Sequence, residues 1–323
     1  MDIQKNKDDN FAFLFLIIPA LLLIIGYFIN PYPPSDITTS LIQIPMFLGL
    51  ILLLIGFLIK DKNLGSGIKI FGWAIFASFW ATQPAYLYIS EGGDVFNAVL
   101  CILGVFALFY FAYHEWLSIK KNKHISCVNW IAGASAVAGL IYFGIERIVI
   151  GPVPALGIPE INLAEILIRI VANHSTIVLD AIIGNAELVG GHNIWLDGHY
   201  AVTIIFACTA IQAMVIFVGM IFAMPKIDLK RRIIGILITI IPIYILNLLR
   251  NAMVAFLVGK NITDFNVAHN ILSKAGALIS LIVLLLIVVK IIPGVLDEIY
   301  CLIDLHKRNG PLEKFFKKIW SKK

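Results

Sequence analysis

Residues 233–258 read IIGILITIIPIYILNLLRNAMVAFLV, an apolar run with a single charged side chain, Arg250. A helix of about 20 mostly apolar residues crosses the roughly 30 Å hydrocarbon layer of a membrane. Because a backbone in lipid must satisfy its own hydrogen bonds, the run is predicted to be a helix rather than a strand. The sequence predicts an all-α polytopic integral membrane protein with about eight transmembrane helices, since seven more stretches share this character: 11–28, 41–59, 68–88, 95–116, 128–150, 202–224 and 275–292.

The composition of the whole chain agrees with this fold class. Of its 323 residues, 60% are apolar and only 14% are charged, and the mean hydropathy is +0.92. Soluble domains are usually about 45–50% apolar and about 25% charged. So few charges cannot cover a folded surface in water, which excludes a soluble globular protein, a disordered chain and a nucleic-acid-binding protein.

The distribution of the 25 lysines and arginines indicates how the spans are oriented. Most of them fall before the first span, in alternate connections, and after the last span. The positive-inside rule makes those segments cytoplasmic, so both termini of a multi-pass protein of the cell membrane are predicted to be cytoplasmic. The cations on the opposite side are Arg147, Arg169, Arg250, Lys260 and Lys274.

The chain is predicted to form one polytopic membrane domain, 1–294, followed by a basic cytoplasmic tail, 295–323. The connection 151–201 is predicted to be a long external loop. Within it, residues 163–183 are apolar but carry several polar side chains, and Asn162 with Glu165 resembles a capping box. A ninth span would place the cations that follow residue 225 outside, so this stretch is predicted to be an interfacial or re-entrant helix.

Three side chains that can take part in catalysis are predicted to lie at a similar depth near the outer membrane surface, all in the last third of the chain. Cys208 lies about six residues inside the outer end of the sixth span, and Arg250 about eight residues inside the outer end of the seventh. His269 stands six residues before the eighth span. The other cysteines (Cys101, Cys127 and Cys301) fall at scattered depths and suggest no disulfide framework.

Each of these three residues also has a structural interpretation. A buried Cys is commonly a small apolar residue, and a loop His is usually solvated. Arg250 could pair with an Asn or Asp, and of its neighbours Asn247 and Asn251 only the first shares its helical face. Together, however, a thiol nucleophile, a His that moves its proton and an Arg that holds an oxyanion favour acyl transfer at the outer membrane surface.

At these positions the chain resembles the exosortase/archaeosortase family of membrane cysteine transpeptidases. The segments that carry the resemblance are Ala207-Cys208-Thr209-Ala210, Asn247-Leu-Leu-Arg250 and His269, in a motif-bearing core at about 200–292. Ala210 stands where the family usually has Gly, and Ala disfavours a positive φ. The third family residue is less uniform than the first two, and Lys274 is the alternative to His269 in this chain.

The resemblance implies a sorting enzyme for secreted surface proteins that end in a short motif, one transmembrane helix and a basic tail. Cys208, Arg250 and His269 would be catalytic, and Asn247 and Thr209 would position the substrate. Cys208 would form a thioacyl intermediate at an active site facing the extracellular side, and an amine, expected to be a lipid headgroup, would accept the acyl group. No metal, other cofactor or nucleic acid is expected.

Two other function classes stay open from the residues alone. A metal-dependent membrane hydrolase could use His192, Asp197 and His199 in the long loop, with His174 nearby, although their spacing matches no standard zinc signature. A non-enzymatic transporter or assembly protein would use Arg250 to line a substrate path and Cys208 only for packing. The hydrolase would lose activity on metal chelation or when His192 and His199 are both changed to Ala. The non-enzymatic alternative predicts instead that Cys208 can be replaced by Ser or Ala without loss.

Overall fold

The structure is a computed structural model that describes residues 2–30, 36–90, 95–151 and 160–320. Within these residues eight helices are long and apolar enough to cross a membrane. The predicted class, an all-α polytopic membrane protein with about eight spanning helices, is therefore confirmed. The eight candidate spans are Phe11–Ile29, Ser40–Leu58, Lys62–Ile89, Val95–Lys120, Ser126–Arg147, Leu163–Ile183, Leu229–Gly259 and Val267–Ile291.

The elements follow one another in this order: α1 (Asp2–Ile29), α2 (Asp36–Leu58), α3 (Lys62–Ala81), α4 (Gln83–Ser90), α5 (Val95–Lys120), α6 (Ser126–Arg147), β1 (Val149–Ile150), β2 (Ile161–Asn162), α7 (Leu163–Ile183), β3 (Ala186–Val189), β4 (Asn193–Leu196), β5 (His199–Thr203), a 3₁₀ turn (Phe206–Thr209), α8 (Ile211–Phe222), α9 (Leu229–Gly259), a π-helix (Val267–Ser273), α10 (Lys274–Ile291), α11 (Gly294–Ile303), a second 3₁₀ turn (Asp304–Arg308) and α12 (Pro311–Trp320). They form two compact units, Met1–Ala136 with Leu296–Lys323, and Val137–Val295.

The first unit is built around α3, which packs against α2 and α5. Small residues allow this close approach, because a Cβ atom on Gly49 would lie 2.6 Å from the backbone nitrogen of Phe76. The core between these helices contains the buried side chains of Leu53, Trp73 and Tyr113. Such close backbone contact is how helices associate in lipid, where apolar burial alone gives little preference for one partner.

The segment after residue 295 packs onto this first unit. Glu313 of α12 is buried and accepts hydrogen bonds from the hydroxyls of Tyr113 at 2.8 Å and Tyr110 at 3.2 Å. Arg308 donates to the carbonyl of His114 at 3.0 Å. The basic C-terminal segment is thus held in place by α5.

The second unit is centred on α9, which contacts α7, α8, α10 and the strands β4 and β5. Its core gathers Val171 of α7, Ile194 of β4, Cys208 and Ala252 of α9. The strands β1 and β2 pair antiparallel, and β3, β4 and β5 form a three-stranded antiparallel sheet. Neither small sheet was expected from the sequence.

The prediction of one continuous spanning helix at 202–224 is wrong. That segment ends β5, forms the 3₁₀ turn and then becomes α8, whose 12 residues rise only about 18 Å at 1.5 Å per residue. The chain breaks at Ala210, whose φ is +57°, a left-handed conformation that no continuous α-helix contains. By length and composition α7 qualifies as a span instead, so the count of eight holds with a different set of helices.

The expectation that the cysteines form no disulfide is also wrong. Cys127 at the start of α6 and Cys301 in α11 are joined by a disulfide in the first unit. The two residues are 174 positions apart in the sequence, and only the packing of the C-terminal segment brings them together. Cys101 and Cys208 take part in no disulfide.

Candidate active site

Cys208 lies in a short 3₁₀ turn between strand β5 and helix α8. Its backbone N–H donates to the carbonyl of Ile205 at 2.8 Å, and the Thr209 hydroxyl donates to the carbonyl of Phe206 at 2.7 Å. Ala210 then takes its left-handed conformation and starts α8. The Cys208 side chain is 7% exposed. Local hydrogen bonds and one left-handed residue therefore fix the position of the thiol-bearing loop.

Two asparagines of α9 hold this loop from the other side. The Asn247 amide donates to the carbonyl of Cys208 at 2.8 Å, and the Asn251 amide donates to the same oxygen at 3.1 Å. Asn251 also reaches the hydroxyl of Ser175 on α7 at 3.4 Å. Because residues four apart lie on one helical face, Asn247 and Asn251 can donate to the same carbonyl oxygen.

Arg250 is held by neutral partners. Its Nη1 donates to the Asn247 side-chain oxygen at 3.3 Å, and its Nε donates to the hydroxyl of Ser273 in the π-helix. Among the residues that the structure describes, no Asp or Glu lies within 4.0 Å of this guanidinium. A cation held only by neutral partners is a candidate site for an anion or a developing negative charge.

A cavity of about 370 Å³ opens beside these residues. Asn247, Arg250 and Ser273 line it together with Ala207 and Ala210, which flank the Cys208 turn. The rest of its wall is mostly apolar side chains from α9 and α10. An apolar cavity with a few convergent polar groups is the usual form of a binding site.

His269 lies in the π-helix that also carries Ser273. Its ring stacks on that of Phe265 with centroids 4.9 Å apart and planes 10° apart. The adjacent Ala268 is fully buried in the same apolar cluster as Cys208. Short π-helical segments are rare and often occur at functional sites. The side chain of the alternative residue, Lys274, lies outside the described part of the chain.

The comparisons with known proteins match this region. The model of the family described as Transmembrane exosortase matches residues 62–289, more than half of the chain. The chain belongs to the transmembrane exosortase family. It is also 23% identical over 267 residues to Archaeosortase A of Haloferax volcanii, which covers 74% of this chain and 85% of that protein. No solved structure matches the chain.

The candidate metal site of the long loop does not form in this exosortase-family protein. Asp197 makes a 2.6 Å ion pair with Lys260, and this hydrogen bond lowers the pKa of Asp197 below its ordinary value. His174 bonds instead to the Tyr244 hydroxyl at 2.6 Å. In the described ranges, His192, Asp197, His199 and His174 form no cluster with closely spaced ligand atoms.

Sequence reasoning missed two of the residues that build the site. Asn251 was considered only as a neighbour of Arg250, although its spacing of four from Asn247 is the signal of a shared face. Ser273 carried no signal, since its contact with Arg250 depends on how the π-helix packs against α9. The structure thus links the Cys208 turn, Asn247, Arg250 and Ser273 in one chain of hydrogen bonds.

Proposed function

We propose that this protein is a membrane cysteine transpeptidase that cleaves the C-terminal sorting signal of secreted surface proteins. The signal consists of a short motif, a transmembrane helix and a basic tail. The proposal depends most on one observation, the Asn247 side chain that joins the carbonyl of Cys208 to the guanidinium of Arg250. This link holds a nucleophile-bearing turn and an uncompensated cation on the wall of one cavity.

The first half-reaction is a thiol attack on a peptide bond. The Cys208 thiol gives its proton to His269 and its sulfur attacks the carbonyl carbon of the motif. Arg250 stabilises the oxyanion of the tetrahedral intermediate. The peptide C–N bond then breaks, His269 returns the proton to the leaving nitrogen, and the helix with its basic tail departs with a free amine.

The second half-reaction restores the enzyme. An amine, which we propose to be a lipid headgroup, attacks the thioacyl carbon and loses a proton to His269. A new C–N bond forms, the C–S bond breaks, and the Cys208 sulfur recovers its proton. The surface protein exchanges a helical anchor for a lipid anchor, and the reaction needs no cofactor.

Asn247 and Thr209 act as positioning residues in this scheme. The Thr209 hydroxyl donates to the turn that carries Cys208 and accepts from the backbone of Ile211 at 3.4 Å. Asn247 uses its two amide atoms on two different partners, Cys208 and Arg250. The two hydrogen bonds of Asn247 hold Cys208 and Arg250 at a fixed separation, which positions the substrate carbonyl between them.

The active site faces the extracellular side in this proposal, with both termini in the cytoplasm. The cations at 120–123 and 226–232 then share the cytoplasmic side, and the chain between them crosses the membrane twice. The first crossing is α6. The second is a broken crossing made of the 3₁₀ turn and α8, and α8 can be shorter than a full span because it starts at the depth of Cys208.

In this topology α7 lies along the outer surface rather than across the membrane. Its first end is paired through β1 and β2 to the end of α6, with Val149 opposite Asn162. Its C-terminal end is followed within three residues by β3 of the three-stranded sheet. Asp197 of the same sheet region forms an ion pair with Lys260 at the outer end of α9. Two ends tied to the same side favour an in-plane helix.

The exposed surface of α7 supports the same position. Arg169, Asn173 and Asp180 form one exposed polar stripe, and an exposed apolar stripe of Leu163, Ile166, Ile170 and Ile177 lies beside it. A helix that lies in a membrane interface turns such a polar stripe to water and the apolar stripe to the acyl chains. Crossing the bilayer would place the polar stripe in lipid.

The test is processing of a secreted protein that ends in a motif, a transmembrane helix and a basic tail, co-expressed with the enzyme. Cys208→Ala should leave this substrate at full length, whereas the matched control Cys101→Ala should process it like the wild type. Mature substrate at wild-type levels with Cys208→Ala would overturn the proposal in favour of a non-enzymatic role.

A further inference from the structure

A second cluster of metal-binding side chains lies in the first unit, apart from the residues assigned to catalysis. Cys127 stands in the first turn of α6, and Glu298 and Cys301 stand one turn apart on α11. Their sulfur and carboxylate ligand atoms all lie within 4.8 Å of one another. In the described residues this is the one group of three His, Cys, Asp or Glu side chains close enough to share a metal ion.

The carboxylate of Glu298 is the unusual member of the cluster. The residue is only 8% exposed. Its Oε1 accepts a hydrogen bond from the Ser126 hydroxyl at 2.5 Å, but its Oε2 is fully buried and has no hydrogen-bond partner among the residues that the structure describes. Leaving a buried carboxyl oxygen unsatisfied is costly, so the site lacks a group that would bond to it.

The disulfide between Cys127 and Cys301 does not supply that group. A disulfide has neither a proton to donate to Oε2 nor a positive charge. A divalent cation bound to the two thiolates would offer both a charge and a coordination bond to the carboxylate. Zinc in particular accepts Cys sulfur and Glu oxygen in tetrahedral sites.

We propose that, with its two thiols reduced, the cluster of Cys127, Glu298 and Cys301 binds one thiophilic divalent cation of the zinc class. Binding displaces a proton from each thiol, and the metal forms two bonds to sulfur and one to Oε2, with water in the fourth position. The disulfide and the metal site are alternative states of the same pair of sulfurs.

The surroundings of the cluster suit the charge of such a site. A divalent cation with two thiolates and one carboxylate carries one net negative charge. The positive end of the α6 helix dipole lies at Cys127 and favours this negative charge. The site would tie the start of α6 to α11 and so fix the C-terminal segment.

The test uses the purified full chain in detergent under a reducing agent, loaded with Zn²⁺ and freed of excess metal before elemental analysis. We expect about one zinc per chain for the wild type and for the control Cys101→Ser, as for a site with three protein ligands and one water. Cys127→Ser and Cys301→Ser should bind none, and Glu298→Gln should weaken binding at least roughly tenfold.

A readout on the unmutated chain guards against variants that misfold. Co²⁺ loaded into the reduced wild-type protein should produce the absorption of thiolate-to-metal charge transfer, and added Zn²⁺ should remove it. Treatment with an oxidant that restores the disulfide should release the metal. A reduced wild-type chain with no cobalt–thiolate absorption, or with no more zinc than Cys127→Ser, would overturn the proposal.

Discussion

The carbonyl oxygen of Cys208 accepts two side-chain hydrogen bonds from one helix, from Asn247 at 2.8 Å and from Asn251 at 3.1 Å. This double contact anchors the turn that bears the candidate nucleophile to the helix that bears Arg250. Asn247 is the more informative of the two, because it also accepts a hydrogen bond from Arg250. Asn251 holds only the turn and Ser175, whereas Asn247 holds the turn and Arg250 together.

Asn247→Ala and Asn251→Ala should differ in their effects on processing. Either change leaves the buried Cys208 carbonyl with one donor fewer, which costs about 1–3 kcal/mol. Asn247→Ala also removes one of the two side-chain contacts of Arg250, so we expect its processing rate to fall about tenfold further than that of Asn251→Ala. Processing rates and thermal unfolding of both variants check this. Equal rates for the two would remove the special role of Asn247.

Arg250→Lys should be strongly impaired although the charge is kept. A lysine cannot reproduce the planar guanidinium fork that contacts Asn247 and Ser273 together. We expect a rate loss of about 10²–10³, the range seen when an oxyanion donor is removed. Arg231→Lys, at an exposed ion pair on the same helix, is the matched control. Near-normal turnover by Arg250→Lys would leave Arg250 a structural role only.

His269→Ala should block processing if its ring moves the proton of the Cys208 thiol. General acid–base groups contribute about 10²–10⁴ in rate. His199→Ala, an exposed change in β5, should have no effect. The processing rates are measured across a pH range. If His269 is the base, the part of the pH dependence that reports its titration should be absent in His269→Ala. Loss of activity in Lys274→Ala with His269→Ala active would move the assignment to Lys274.

Ala210→Gly should stabilise the protein. Ala210 holds a φ of +57°, and the left-handed conformation costs a residue with a side chain about 1–2 kcal/mol that glycine avoids. We expect a higher unfolding temperature, measured in detergent. The matched control is Ala213→Gly in α8, which should destabilise by roughly 0.5–1 kcal/mol. A lower unfolding temperature for Ala210→Gly would mean that the methyl group packs usefully.

The position of α7 can be mapped with single cysteines at Glu165 and Asp180 on a background where the native cysteines are serine. An in-plane helix exposes both positions to a membrane-impermeant thiol reagent added outside intact cells. A cysteine at Lys230, in the first turn of α9 and on the side proposed to be cytoplasmic, is the control that should stay unlabelled. Labelling of only one of the two α7 positions would show that the helix crosses the membrane.

The spans and the start of α7 could be predicted from sequence because hydropathy and capping are local. The predicted cap by Asn162 is confirmed, since the Glu165 backbone N–H donates to the Asn162 side chain at 3.1 Å, whereas the Glu165 carboxylate pairs with Arg169. Hydropathy predicted one continuous helix at 202–224, but this apolar segment contains a strand end, a turn and a left-handed residue. Apolar composition alone does not distinguish these from a helix. The sequence offered no sign of either small sheet for the same reason.

Long-range pairing was beyond sequence reasoning. The disulfide of Cys127 with Cys301 and the contact of Arg250 with Ser273 depend on packing between separate elements. Asn251 could have been found, because its spacing from Asn247 was visible in the chain. The roles of Cys208, Arg250, His269, Asn247 and Thr209 in the reaction remain proposals for these experiments.

The central claim is that Cys208 forms a covalent thioacyl bond with the substrate. The most direct measurement is mass spectrometry of the Cys208-containing peptide after the wild-type enzyme is mixed with a substrate in the absence of an acceptor amine. We predict an adduct of the substrate's new C-terminus on Cys208 that neutral hydroxylamine removes. Cleaved substrate accumulating without any adduct on Cys208 would contradict the account.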